Sequence, residues 1–212
     1  MIIFILIFII LFIEIAWKGG QKFKAVAFLK NFSYKLKHKI LGLPLNLETC
    51  KENLLLFNES MNRFKIPFWL SEGTALGAVR DNSFIPWDDD VDVSFKYEYR
   101  ESFLKNVLPI LKQKGFHFDF DNNNGNFIGL SRKKEKLDID IVQENGFCMA
   151  TQTKNAGYTS DCNVLIPYLN NMRQIQFLGT IFTVPGDDYL EFLYSKNWKT
   201  PAKSKFTSKK IM

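Results

Sequence analysis

Cysteine and histidine are scarce: the 212 residues hold three Cys and two His. Cys50, Cys148 and Cys162 form no Cys-x-x-Cys pair and have no histidine near them, which speaks against a zinc module. An odd count also speaks against a dense disulfide framework. Cys148 and Cys162 could pair, leaving Cys50 over, and such a bond would require an oxidising compartment. No zinc knuckle, RNP-like segment or basic helix interleaved with stacking aromatics is present, so the net charge of +6 does not argue for nucleic acid. That charge suits phosphates, nucleotides or lipid head groups instead. Disorder of the whole chain is excluded by 46% apolar and 24% charged residues, with 21 Phe among the former.

One long apolar run exists, Met1 to Trp17, with Glu14 its single charge. As a helix it would be about 25 Å long, slightly short of a ~30 Å hydrocarbon core. The run has no basic n-region, and Glu14-Ile15-Ala16 is a poor cleavage site, so an uncleaved anchor over 1–17 is expected rather than a signal peptide. Residues 18–46 are basic and apolar in turn, either a stalk or a helix lying on anionic lipid. Gly42-Leu43-Pro44 ends that stretch. A globular domain is expected over 47–201 and a basic tail over 202–212. Lys18, Lys22, Lys24, Lys30, Lys35, Lys37 and Lys39 all follow the apolar run, which on the positive-inside rule places the domain in the cytoplasm.

The chemistry concentrates between Trp69 and Val93, WLSEGTALGAVRDNSFIPWDDDVDV. Ile66 to Leu70 reads as a strand and Thr74 to Arg80 as a helical turn, followed by a loop and a second strand. Gly73 lets backbone approach a ligand closely, and the N–H groups at the helix start face an anion. Thr74 is alternatively the N-cap. Strand parity gathers Asp88, Asp90 and Asp92 on one face, with Val91 and Val93 on the other and Asp89 turned away. Three ionised carboxylates so close repel unless a hard cation such as Mg2+ or Mn2+ joins them. A Ca2+ loop would need Gly and Glu where counting from Asp88 gives Val93 and Tyr99. A solvated acidic loop is the bland alternative, opposed by the apolar alternation through Val91, Val93 and Phe95. Arg80 either meets a donor phosphate or sits at a favourable helix terminus. Trp87 is expected to plug the core.

Elsewhere, Leu47, Cys50, Leu54, Phe57, Met61 and Phe64 repeat at three and four, an amphipathic helix. Tyr97 to Gly115 reads as a second helix with a kink or break at Pro109. Strands are expected over Phe116–Phe120 and Phe127–Arg132, with a hairpin into Lys136–Val142. In KLDIDIV, Asp138 and Asp140 share a face, and acids facing inward are costly unless they meet a cation. Arg132, Lys133, Lys134 and Lys136 read as a solvated hairpin turn, or as partners of phosphate. Residues 146–171 are uninformative. A strand over Gly179–Val184 and a helix over Tyr189–Tyr194 close the domain.

Glu72 to Arg80 and Phe84 to Val93, in this order, resemble the LicD family, which includes the fukutin and fukutin-related proteins. The resemblance extends over roughly Leu47 to Pro201. It implies an α+β nucleotidyltransferase-type fold, a mixed sheet flanked by helices. It also implies transfer of a phospho-alcohol, of phosphocholine or ribitol-phosphate type, from a CDP-linked donor to a glycan or glycoprotein hydroxyl. On that reading Asp88, Asp90, Asp92 and Asp140 are metal ligands. Asp90, Asp92 and Asp140 are catalytic, Asp140 matching the family's apolar-Asp-apolar-apolar pattern. Gly73, Thr74 and Arg80 bind substrate. Two other readings remain open, nucleotidyl transfer to a small acceptor and a degenerate glycan-binding relative. The family's branches work in the Golgi lumen or in the bacterial cytoplasm, and the side of the membrane stays open.

Overall fold

The computed structural model describes residues 44–121, 125–143, 147–153, 157–161 and 167–201, with side chains left out between 147 and 166. The expected anchor over 1–17, most of the stalk, the tail and Cys162 lie outside the described residues, and the side chain of Cys148 is not described, so the Cys148/Cys162 pairing falls outside them too. Among the described residues no helix is long and apolar enough to cross a membrane.

Helix α1, Leu47–Arg63, follows the apolar repeat. Asn46 caps it by accepting the Thr49 N–H at 3.0 Å, worth about 1 kcal/mol. Its Cys50, Leu54, Phe57 and Met61 are buried. Strand β1 is short, Trp69–Leu70, and α2, Glu72–Asp81, follows it directly. Strand β2, Val91–Lys96, leads into one composite helical run. That run comprises a 3-10 turn, Tyr97–Tyr99, an α turn, Arg100–Ser102, a π turn, Phe103–Val107, and α3, Leu108–Gln113. The break expected at Pro109 appears as the π turn just before it. Pro109 has no N–H to continue the ladder, and the Leu108 N–H reaches back to the Phe103 carbonyl.

Strands β3 (His117–Asp121), β4 (Phe127–Arg132) and β5 (Glu135–Val142) then complete a five-stranded sheet of order β1-β2-β5-β4-β3. β2 and β5 are parallel; the other neighbours are antiparallel. Lys133 and Lys134 make the β4–β5 turn with φ of 51° and 68°, the positive pair a two-residue type I′ hairpin needs. Arg132 donates to Glu52, Asn53 and the Lys114 carbonyl, and Lys133 donates to Glu52. These two cations thus fasten the hairpin to α1.

One face of the sheet is apolar. Val91, Val93, Phe95, Leu137, Ile139, Ile141, Ile128 and Leu130 are buried. Phe95 packs on Phe103, whose ring lies 6.2 Å from that of Phe57, joining β2, the π turn and α1. The abundance of Phe is spent here and under a second hairpin, β8 (Met172–Phe177) with β9 (Thr180–Pro185). There Phe177 meets Phe84 and Phe182 meets Phe68. A further hairpin, β6 (Phe147–Thr153) with β7 (Gly157–Asp161), fills the stretch whose sequence carries no pattern. Helix α4, Asp187–Tyr194, follows β9. The opposite face of the main sheet carries the acids.

Candidate active site

The site is built where α2 leaves β1. Ser71 is the N-cap, in extended conformation and with no side-chain cap bond, and its N–H donates to the Asp92 carbonyl at 3.2 Å. Thr74 therefore is not the cap. It lies inside the first turn, and its Oγ1 accepts the Asp92 N–H at 2.8 Å. The helix start and the start of β2 are thereby stitched together. Gly73 permits a close approach from the returning loop: a Cβ there would lie 2.0 Å from Asp88 Oδ2. At Gly77 a Cβ would lie 2.5 Å from the Ser83 carbonyl oxygen. The loop is thus pressed along α2 at two points, and both are glycine.

Asp92 alone of the expected acidic trio lies within β2. Asp88 and Asp90 belong to the preceding loop, where strand parity does not apply. The Asp88 N–H donates to the Ile85 carbonyl at 3.0 Å, and Asp88 Oδ1 accepts the Asp89 N–H at 3.0 Å. The loop brings carboxylate oxygens of Asp88, Asp89 and Asp90 within 4.8 Å of one another. Asp89, expected to turn away, is thus part of the acidic cluster. Parallel pairing sets Asp92 beside Asp138 and Ser94 beside Asp140, strands being about 4.8 Å apart. The alternation of β5 does put Asp138 and Asp140 on the face opposite Leu137, Ile139 and Ile141.

The electrostatics follow from crowding. Asp90 and Asp92 are pushed well above the ordinary carboxylate range, first by burial and then by like charge: chiefly Asp138 for Asp90, and chiefly Asp90 and Asp88 for Asp92. Asp140 is raised well above that range by burial, then by Glu72 and Asp138. Burial lifts Asp88 to about 6. Oδ1 of Asp140 is buried with no hydrogen-bond partner among the described residues. Such a group is costly unless something else meets it.

Three contributors escape sequence reasoning: Glu72, Tyr189 and Tyr194. Glu72 opens α2 at φ 43°, the left-handed region that a non-glycine residue occupies at a cost of roughly 1–3 kcal/mol. Its Oε1 accepts the Tyr189 hydroxyl at 3.5 Å, and its charge is felt at Asp92 and Asp140. Tyr189 and Tyr194 are held well above the usual phenol range by burial, then by Glu72, so both hydroxyls stay protonated. No sequence pattern separates these tyrosines from packing aromatics. Arg80, by contrast, lies at the far end of α2. It pairs with Asp81 at 2.6 Å and approaches the Trp198 carbonyl at 3.5 Å. Trp87 is 42% exposed and does not plug the core, because it sits in the loop that α2 keeps at the surface.

The site thus sets carboxylates from a loop and two parallel strands beside a glycine-bearing helix start, within an α+β domain. The profile of the family described as LicD/FKTN/FKRP, nucleotidyltransferase domain, matches residues 65–187, and the chain belongs to that family. It is 32% identical over 200 residues to the ribitol-5-phosphate transferase FKTN of Macaca fascicularis, covering 91% of this chain and 41% of that protein. It is 35% identical over 72 residues to the lipopolysaccharide cholinephosphotransferase LicD of Haemophilus influenzae, covering 34% of this chain and 26% of that protein. Among solved structures, the lincosamide antibiotic adenylyltransferase LnuA aligns at 14% identity with a TM-score of 0.44, covering 66% of this chain and 84% of that one. The chain thus spans less than half the length of the FKTN relative.

Proposed function

We propose that this protein transfers a phospho-alcohol, of ribitol-phosphate or phosphocholine type, from a CDP-linked donor to a glycan hydroxyl. The observation that carries this is the acidic ground beside the first turn of α2: carboxylate oxygens of Asp88, Asp89 and Asp90 lie within 4.8 Å of one another, Asp92 pairs with Asp138 across β2 and β5, and Asp140 lies two residues further along β5 on the same face. Family membership and the named activities of the relatives support it. The donor set fits a hard divalent cation, being carboxylate oxygen throughout, partly desolvated, with Asp140 Oδ1 lacking a hydrogen-bond partner among the described residues. Asp88, Asp90, Asp92 and Asp140 would hold Mg2+ or Mn2+, which when bound neutralises charge on the donor pyrophosphate.

The chain's own groups do the rest. Backbone N–H groups at the start of α2, around Gly73 and Thr74, orient phosphate oxygens. Thr74 fixes the Asp92 backbone, so the helix start and the carboxylate move as one body. The acceptor hydroxyl oxygen attacks the phosphorus that bears the alcohol. Its proton passes to the Asp140 carboxylate, which lies on the acidic face of β5 with Oδ1 buried. The bond to CMP breaks, and CMP leaves. Arg80 is engaged with Asp81 and enters this scheme only if donor binding draws it away. Tethering through residues 1–17, at the Golgi membrane of a eukaryotic host or the cytoplasmic face of a bacterial one, completes the reading.

The test is incubation with a panel of CDP-alcohols, a glycan acceptor and Mg2+, with products weighed by mass spectrometry. CMP release with the phospho-alcohol on the acceptor is expected, and Asp90→Ala and Asp92→Ala should abolish it while remaining folded. CMP found on the acceptor would mean nucleotidyl transfer. Full turnover in either Asp variant would exclude the mechanism.

A further inference from the structure

The acidic face of the sheet continues past Asp140 onto aromatic ground. β4 pairs with β5 so that Phe127 lies opposite Asp140 and Gly129 opposite Asp138, and paired residues share a face. On β3, Phe120 pairs with Gly129. Its ring lies over that glycine: a Cβ at Gly129 would sit 2.6 Å from the Phe120 ring. The ring also stacks on Phe127, with centroids 5.2 Å apart and planes 29° from parallel. Phe120 is nevertheless 42% exposed. A stacked pair of rings, the inner one buried and the outer one exposed, therefore adjoins the carboxylates on the strands away from α2.

That layout has a direction. The phosphate-facing helix start lies at the β1–β2 edge, and Asp140 lies one strand further in. Phe127 and Phe120 follow on β4 and β3. With donor pyrophosphate at α2, beside β1 and β2, the acceptor molecule extends over β5 and β4 toward β3. We propose that Phe120, supported by Phe127 and seated over Gly129, is the stacking platform for the acceptor sugar. It receives the apolar face of a pyranose ring, the face that presents three C–H bonds to an aromatic surface. The inference rests on the functional reading above for its direction, but its binding test does not need turnover.

The probe is methyl β-D-galactopyranoside, observed by saturation-transfer NMR with the full-length protein, with CMP as a second probe. The sugar's H1, H3 and H5 should receive saturation from the wild type, lose most of it in Phe120→Ala, and keep it in Phe120→Trp. Gly129→Ala, which pushes the ring off its seat, should weaken the signal as well. In the transfer assay Phe120→Ala should raise the acceptor KM about five- to tenfold while the donor KM holds, the size expected for losing one aromatic contact. Three outcomes would overturn the proposal: no saturation of the sugar by the wild type, equal saturation by Phe120→Ala, or loss of CMP base signals rather than sugar signals in that variant. A protein that stacks the sugar through Phe120 yet releases no CMP would refute the transfer reaction and leave the platform standing.

Discussion

Gly73 has no side chain, and the Asp88 carboxylate occupies the space one would take. Gly73→Ala places a methyl group into that carboxylate, which can swing aside because it ends a side chain. Stability should change by less than about 1–3 kcal/mol, while transfer falls at least tenfold as Asp88 loses its position; urea melts and CMP release separate the two. Thr74 makes a different demand. Thr74→Val keeps the shape and leaves the Asp92 N–H without its acceptor, at a cost of about 1–3 kcal/mol, whereas Thr74→Ser should sit close to the wild type. A valine variant as stable as the serine one would show that the 2.8 Å bond carries little. Asp92→Asn turns the usual expectation round. It removes one charge from a buried like-charge group, so without metal its thermal midpoint should rise, and transfer should disappear.

Elements place these residues, and the loop between α2 and β2 is the most demanding of them. Gly77→Ala is the sharper probe of it, since the obstacle at 2.5 Å is the Ser83 backbone carbonyl and not a movable side chain. It should lower unfolding free energy by about 1–3 kcal/mol and loosen the Asp88–Asp90 loop, seen as faster amide exchange at Ser83 to Asp88. The same loop marks the limit of what periodicity conveys. Strands β4 and β5 and helix α1 are legible in the chain because apolar residues repeat at two or at three and four where a sheet face or helix stripe is buried. Asp138 and Asp140 were therefore placed on their face from alternation alone. Asp88 and Asp90 lie in a loop instead, where the Asp88 N–H donates to the Ile85 carbonyl and Asp88 Oδ1 accepts the Asp89 N–H, and a loop has no parity. That is why Asp89 joins its neighbours instead of facing away. Glu72 and Tyr189 lie 117 residues apart, and contact at such range leaves no local pattern. Hairpin β6–β7 likewise arises from a stretch in which neither period stands out, whereas β9, Thr180–Pro185, falls on the strand expected over Gly179–Val184.

At the scale of the whole molecule, the cluster makes stability depend on pH in an unusual sense. Asp88 titrates near 6, and Asp90, Asp92 and Asp140 are raised well above the ordinary value of 3.8. Each is raised chiefly by burial, so the folded protein holds protons that the unfolded chain has already released. Stability from such groups is fully present below the unfolded value and is lost as pH rises through the folded one. Glu52 acts oppositely: its pairing with Arg132 and Lys133 lowers it to about 2, so its contribution fades only in stronger acid. Between about pH 5 and pH 8 the raised aspartates dominate. In EDTA the thermal midpoint should therefore be higher near pH 5 than near pH 8. Mg2+ should reverse the slope, because a cation binds the ionised cluster and stabilises the folded state by an amount that grows with the logarithm of its excess over Kd. The gain on adding Mg2+ should accordingly be largest at the alkaline end and shrink toward pH 5, and Asp92→Asn should blunt it. A midpoint in EDTA that climbs steadily from pH 5 to pH 8 would mean that the carboxylates are already ionised and tolerated in the free protein. The argument that burial and mutual repulsion create the need for a cation would then fail.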